Sequence, residues 1–331
     1  MTTAQRHLDS GFGARTTAAE VLEGIDLTGR LAIVTGGYSG LGLETTRALV
    51  GAGATVVVPA RRPEVAREAL AGLERVEVNE LDLGDLSSVA AFAERFLSSG
   101  RSVEAMIDNA AIMACPETRV GPGWESQLAT NHLGHFALVN RLWPAITAGV
   151  RARVVSVSSA GHRRSGIRWD DVQMVHDYDK WNAYGQAKTA NALFAVHLDA
   201  VGRAAGVRAF SVHPGGILTP LQRHLPKAEQ VARGWIDEEG NAIDPSFKTP
   251  EQGAATTVWA ATSPQLAGMG GVFCEDVDVA VPWIDGANHG VRAWATDPEQ
   301  AARLWALSAE LTGVDAFAAA PRPTALLDPG L

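Results

Sequence analysis

Leu31-Ala32-Ile33-Val34-Thr35-Gly36-Gly37-Tyr38-Ser39-Gly40-Leu41-Gly42 is the stretch whose reading decides the fold. Four apolar residues suit a short buried strand. A glycine-rich turn follows at once. From there the apolar spacing through Leu43, Thr46, Leu49 and Val50 is helical. Gly51-Ala52-Gly53 closes that helix, and Ala54-Thr55-Val56-Val57-Val58 reads as a second strand. A glycine-rich turn between strand and helix lets the backbone approach a pyrophosphate, whose charge then sits over the helix N-terminus. No Gly-Lys-Ser/Thr follows, so the turn suits a dinucleotide and not a Walker-type phosphate loop. Glycines 36, 40 and 42 stand one residue wider than the commonest fingerprint. A turn of this kind can also serve strand–helix packing alone.

Working outward, Pro59-Ala60-Arg61-Arg62 ends the second strand where such a site reads the adenosine ribose. An acid there favours a free 2′-hydroxyl, and arginines favour a 2′-phosphate. No acid appears before Glu64, so NADP(H) is preferred, with NAD(H) possible. The alternative is a solvated arginine pair opening the next helix. Val76-Glu77-Val78-Asn79 and a helix around 87–97 flank Asp82, which falls at a strand-to-helix junction suited to the adenine amino group. Met106-Ile107-Asp108-Asn109-Ala110-Ala111 ends a further strand in small residues, as backbone passing beside a ribose requires. Asn109 can equally be a turn residue satisfying its own backbone.

Residues 124–142 carry a helical apolar pattern with Asn131 inside it, a position where asparagine is ordinarily a small local cost. Arg153–Ser159 reads as a buried strand ending in the hydroxyls of Ser158 and Ser159, at the strand end where open α/β sheets bind ligands. Tyr184-Gly185-Gln186-Ala187-Lys188 places Tyr184 and Lys188 one helical turn apart on one face. An ammonium beside a phenol lowers a pKa that is otherwise about 10. His213-Pro214-Gly215-Gly216-Ile217-Leu218-Thr219 follows the strand from Val207 and can present backbone donors to a carboxamide. The segments 160–182 and 220–250 read as covers over a pocket, the second of them mobile. A helix from Pro250 through Ala260, a last strand at Gly271-Val272-Phe273 and a helix from Glu299 to Leu311 complete the pattern. A loosely held tail begins at Phe317.

The bulk composition narrows the function. With 46% apolar and 20% charged residues, the 331-residue chain has the balance of an ordinary soluble globular protein. A formal net charge of −9 argues against unaided binding to nucleic acid. Two cysteines give no disulfide framework, and no apolar run spans a membrane or resembles a signal peptide. The expected address is cytoplasmic. The expected division is an N-terminal extension over 1–27, one catalytic domain over 28–285 and a C-terminal helix and tail over 286–331.

Taken in order, Thr35-Gly36-x-x-x-Gly40-x-Gly42, Asp82, Asp108-Asn109-Ala110-Ala111, Asn131, Ser158-Ser159, Tyr184-x-x-x-Lys188 and Pro214-Gly215 strongly resemble the short-chain dehydrogenase/reductase family, over about residues 28–285. Asn131–Phe136 and Ala183–Asn191 look like its retinol-dehydrogenase and WW-domain-containing oxidoreductase branch, without a WW domain. The resemblance implies a doubly wound α/β Rossmann fold, with a mostly parallel central sheet and helices on both faces. It implies hydride exchange between NADP(H) and a small-molecule alcohol, ketone or aldehyde, without a metal. Tyr184 is then the acid/base, Ser159 orients the carbonyl oxygen, Lys188 lowers the Tyr184 pKa and grips the ribose, and Asn131 holds a water for proton relay. Cofactor contacts fall to Gly36, Tyr38, Ser39, Gly40, Leu41 and Gly42 at the turn and to Arg61 and Arg62 at the 2′-phosphate. Asp82 and Leu83 take the adenine, and Asn109, Ala110 and Ala111 the adenosine ribose. Tyr184, Lys188, Pro214, Gly215, Ile217 and Thr219 surround the nicotinamide end. Asp108 stands where the family usually has Asn, and an aspartate does not donate as an amide does. A homodimer or a monomer is expected. The second reading is a dinucleotide-binding regulatory or structural member that does not catalyse.

Overall fold

The computed structural model describes residues 3–318. Its central sheet has eight strands, whose neighbours run β10-β9-β8-β7-β4-β1-β2-β3. The first half supplies β1 (Leu31–Val34), β2 (Thr55–Ala60), β3 (Val76–Glu80) and β4 (Ala105–Asp108). A two-stranded ribbon, β5 (Arg119–Val120) with β6 (Trp124–Glu125), lies apart. The second half supplies β7 (Arg153–Val157), β8 (Arg208–His213), β9 (Val272–Glu275) and β10 (Asp278–Val279). All pairings in the large sheet are parallel except β9 with β10. This is the doubly wound Rossmann arrangement, and strand order reverses between β1 and β4. Ligands of open α/β sheets sit outside the carboxyl ends of the strands at that switch.

The helices follow in chain order: α1 (Ala18–Val21), α2 (Gly40–Gly51), α3 (Pro63–Ala69), α4 (Leu86–Ser98), α5 (Ser126–Leu128), α6 (Gly134–Arg141), α7 (Trp143–Thr147), α8 (Lys180–Gly202), α9 (Lys227–Ala232), α10 (Pro250–Thr262) and α11 (Pro298–Thr312). Side-chain alternation along the strands sorts them into two layers. Val34, Val56, Val58, Val155, Phe210 and Val212 face one way, against α1, α2 and α10 with Leu49, Val258 and Trp259. Ile33, Val57, Met106, Val154 and Ala209 face the other way, against α4, α6 and α8 with Phe92, Phe136 and Phe194. Helix α8 is buried along most of its length, between the sheet and α11. That is why its hydrophobic pattern is not one-sided.

Several local expectations are corrected. The second strand starts at Thr55 and ends at Ala60, so Arg61 and Arg62 lie just beyond it, and β2 pairs with β3 through Ala60. The stretch 124–142 is not one helix. Trp124 and Glu125 form the ribbon, and the Glu125 carboxylate caps α5 by accepting the N–H groups of Gln127 and Leu128 at 2.9 and 2.7 Å. A π-helical turn over Ala129–Leu133 then carries Asn131. The last strand continues to Glu275 and turns back as β10. Its edge is covered by the N-terminal residues: Gln5 exchanges side-chain hydrogen bonds with Phe273, and Asp278 accepts the N–H groups of Leu8 and Ser10. Phe317 is not loose, because its ring packs 4.7 Å from Trp143 and 5.6 Å from Trp305. The tail beyond residue 318 lies outside the described residues.

Candidate active site

A cavity of about 750 Å³ opens at the switch point. One wall is backbone. Gly36 and Gly40 have φ of +64° and +52°, which glycine adopts without strain. A Cβ on Gly42 would strike the carbonyl oxygen of Gly36 and come within 2.5 Å of Asn109 Nδ2. Asn109 Nδ2 donates to the Thr35 carbonyl at 2.8 Å, and Thr35 Oγ1 accepts from the backbone N–H of Asn109 and Ala110. These bonds lock the β1 turn to the β4 turn across the switch. Ser39 precedes α2 without a side-chain cap, which leaves the first N–H groups of that helix for a ligand. Arg61 and Arg62 are exposed on the cavity rim, and neither is in an ion pair among the described residues. Missing side chains at the turn, free helix N–H groups and two unpaired guanidiniums fit a phosphorylated dinucleotide.

The opposite wall is made of side chains on α8 and the end of β7. Ser158 is buried and its hydroxyl donates to the Lys188 carbonyl at 2.7 Å. Ser159, next along, is half-buried and lines the cavity, and its Oγ accepts from Gly161 N at 3.0 Å. Lys188 Nζ donates to the Val157 carbonyl at 2.8 Å and lies 5.7 Å from the centre of the Tyr184 ring. Burial pushes the Lys188 ammonium down to about 7. The expectation that Lys188 lowers the Tyr184 pKa is not what these residues do among themselves. Burial pushes the phenol up to about 12, and only the Ser159 hydroxyl opposes it. Desolvation dominates at the phenol, and the same burial weakens the hold of Lys188 on its own proton.

The remaining predicted positions divide. Tyr38, Leu41, Ala110, Ala111, Pro214, Gly215, Ile217 and Thr219 line the cavity. Asp82, Leu83 and Asn131 are not on its lining. Asp82 Oδ1 accepts from Gly84 N at 2.9 Å, and Leu83 packs on Gly134. The Asn131 amide exchanges hydrogen bonds with both backbone groups of Ile112, each at 2.9 Å. Its main-chain carbonyl faces His135 Nδ1 at 3.0 Å. Asp108 is also corrected: it is buried with neither carboxylate oxygen in a hydrogen bond, and burial raises its pKa well above the usual range.

The cover segments are more ordered than their composition suggests. The 220–250 segment holds a 3₁₀ turn at Pro220–His224, α9, and a bridge between Ile236 and Ala242. Glu229 on α9 accepts from Lys180 Nζ at 2.5 Å and from Trp181 Nε1 at 2.9 Å, which ties this cover to the start of α8. Met113, Trp181, Leu221, Leu225 and Trp235 cluster with Tyr184 as an apolar wall. Sequence reasoning missed Arg15, Lys248 and His213 as cavity residues. Arg15 donates to the carbonyls of Phe247 and Pro245 at 2.7 and 2.6 Å, so the N-terminal extension holds the cover down. No motif marks that arginine. Lys248 carries an ion pair to Asp276 at 2.6 Å, and only the fold brings those two together.

The model of the short-chain dehydrogenase family matches residues 30–230. The chain belongs to that family. It is 45% identical over 296 residues to a probable oxidoreductase of Streptomyces lividans, covering 86% of this chain and 98% of the relative. It is 33% identical over 296 residues to mouse retinol dehydrogenase 11, covering 88% of each. A solved structure of an uncharacterised protein from Mycobacterium paratuberculosis matches with a TM-score of 0.71 and 34% identity, over 91% of this chain and 98% of that one. As a short-chain dehydrogenase the protein is an oxidoreductase of a family that typically uses NAD(P). Among the described residues no helix is long and apolar enough to cross a membrane.

Proposed function

We propose that the protein interconverts an alcohol and its ketone or aldehyde with NADP(H), on substrates with an apolar or aromatic body. The observation that carries this reading is the convergence of Ser159, Tyr184 and Lys188 on one wall of the cavity, facing the glycine turn and the two unpaired arginines. A nicotinamide dinucleotide, when bound, supplies or accepts the hydride. The glycine turn and the α2 N-terminus would hold its pyrophosphate, and Arg61 with Arg62 its 2′-phosphate.

The chain's own residues handle orientation and the proton. Tyr184, raised to about 12, holds its proton at neutral pH and is set to donate it to a carbonyl oxygen. The Ser159 hydroxyl stands beside it to fix that oxygen. Lys188, lowered to about 7, is poised between charged and neutral forms and can restore the proton that Tyr184 gives up. Asn131 acts by position, since its amide holds both backbone groups of Ile112 from the π-turn that carries it. Met113, Trp181 and Trp235 exclude water from the reacting atoms, and kinship with retinol dehydrogenase 11 supports an apolar substrate. The test is to follow NADPH absorbance with a panel of aryl ketones and aldehydes. Tyr184→Phe should lower kcat by about 10²–10⁴-fold with cofactor binding retained. Unchanged turnover would remove Tyr184 from the chemistry.

A further inference from the structure

His213 ends β8, in register with Glu275 of β9 and one residue beyond the Val157–Val212 pairing that brings it beside Ser158. By strand alternation from Ala209, its side chain lies on the α8 side of the sheet, where Tyr184 and Lys188 also lie. Nδ1 accepts two backbone N–H groups, from Ala160 at 3.2 Å and Gly215 at 3.3 Å. An accepting Nδ1 carries no proton, so the neutral ring carries its proton on Nε2. That N–H has no acceptor among the described residues, and the partly exposed ring lines the cavity. Burial, with Arg163, Lys248 and His162 close by, holds the imidazole well below its usual pKa. The charges around it are already paired. Arg163 meets Glu275 at 3.1 Å, and Lys248 meets Asp276 at 2.6 Å. The wall beside Ser159 therefore offers one fixed, neutral donor, in the same cavity that Met113, Trp181 and Trp235 line.

We propose that His213 is a substrate-binding residue whose Nε2–H donates to a second oxygen of the substrate, next to the carbon that reacts. The substrate class is then an apolar or aromatic carbonyl compound bearing a neighbouring oxygen, such as a 1,2-diketone or an α-hydroxy ketone. Ser159 and Tyr184 take the reacting oxygen, His213 the second one, and the aryl or alkyl body lies on the tryptophans. A donor that the bound substrate covers discriminates against the analogue lacking the matching oxygen, because the donor is then left unpaired. This inference deepens the carbonyl-reductase reading and rests on it.

The test compares 1-phenyl-1,2-propanedione with propiophenone, which differ by one carbonyl, in wild type, His213→Asn and His213→Gln. Asparagine can replace Nδ1 as the backbone acceptor but does not reach the Nε2 position, whereas glutamine places an amide donor near it. The ratio of kcat/KM for the two ketones cancels their different intrinsic reactivity when variant is compared with wild type. His213→Asn should lower that ratio about tenfold, as expected for loss of one buried hydrogen bond, and His213→Gln should restore most of it. Equal effects on both ketones, or none, would overturn the proposal. Should the Asn variant not fold, the ring N–H signal of His213 in the wild type decides: it should shift with the diketone and stay put with propiophenone. If wild type turns over neither ketone with either reduced cofactor, the carbonyl-reductase reading fails, and the His213 signal still reports on the binding claim separately.

Discussion

The glycine-turn wall and the covered wall of the cavity are built from different material. The first is backbone from consecutive residues, Thr35 to Gly42, locked to Asn109 and Ala110 by three hydrogen bonds. The second is side chains gathered from distant places: Met113, Trp181, Leu221 and Trp235, held by Glu229 of α9 and, at the far rim, by Arg15. A wall made of closely packed backbone leaves little room for change, since an atom added at Gly37 or Gly42 comes within 3.0 Å of a main-chain carbonyl oxygen. A wall made of side chains can be re-cut without touching the sheet. The contrast separates a constant task, holding a dinucleotide, from an adjustable one, choosing a substrate.

The hardest blow to the first wall is Gly42→Ala. Its Cβ would collide with the Gly36 carbonyl, a main-chain group that cannot swing aside, and with the hydrogen-bonded Asn109 amide. We expect NADPH affinity to fall more than about 100-fold, with a stability loss of about 3 kcal/mol or more. Isothermal titration and a thermal melt measure the two. A variant that binds like wild type would show the turn to be softer than its geometry implies. Arg61→Ala probes a side chain on the rim of this wall. It should raise KM for NADPH about 30-fold and leave NADH within about twofold, since a charge-assisted contact to a phosphate contributes about 2 kcal/mol. Equal effects on both cofactors would dissociate Arg61 from the 2′-phosphate. The mildest effect belongs to the covered wall. Glu229→Gln weakens partly exposed contacts to Lys180 and Trp181, so KM for an aryl ketone should rise about threefold with kcat little changed. Initial-rate kinetics decide it, and a fall in kcat alone would place Glu229 nearer the chemistry than the cover.

The same contrast explains what the sequence discloses. Thr35–Gly42, Ser158-Ser159 and Tyr184–Lys188 are local words, and Gly36, Gly40, Gly42, both serines, Tyr184 and Lys188 line the cavity. Asp82, Leu83 and Asn131 belong to the same pattern yet serve as turn, packing and backbone-anchoring residues, off the lining. The cover was illegible as structure because α9 is six residues long and is held by a carboxylate whose partners lie about fifty residues back. Arg15 and the Lys248–Asp276 pair left no trace in spacing at all. The expected effect of Lys188 on Tyr184 was a statement about a pair in water. Burial of both groups adds a desolvation cost that a pair in water does not meet, and the phenol pKa rises instead of falling.

The N-terminal residues join two jobs in one strap. Gln5, Leu8 and Ser10 occupy hydrogen-bonding groups along the two-residue edge strand β10 and its neighbour, and Arg15 fastens the cavity cover. An open sheet edge is a template for sticking to other chains. Proteolytic trimming of the first sixteen residues would thus couple a solubility defect to a leaky pocket. Where a cloning tag or a protease site is placed at this end becomes a choice about catalysis as well as about handling.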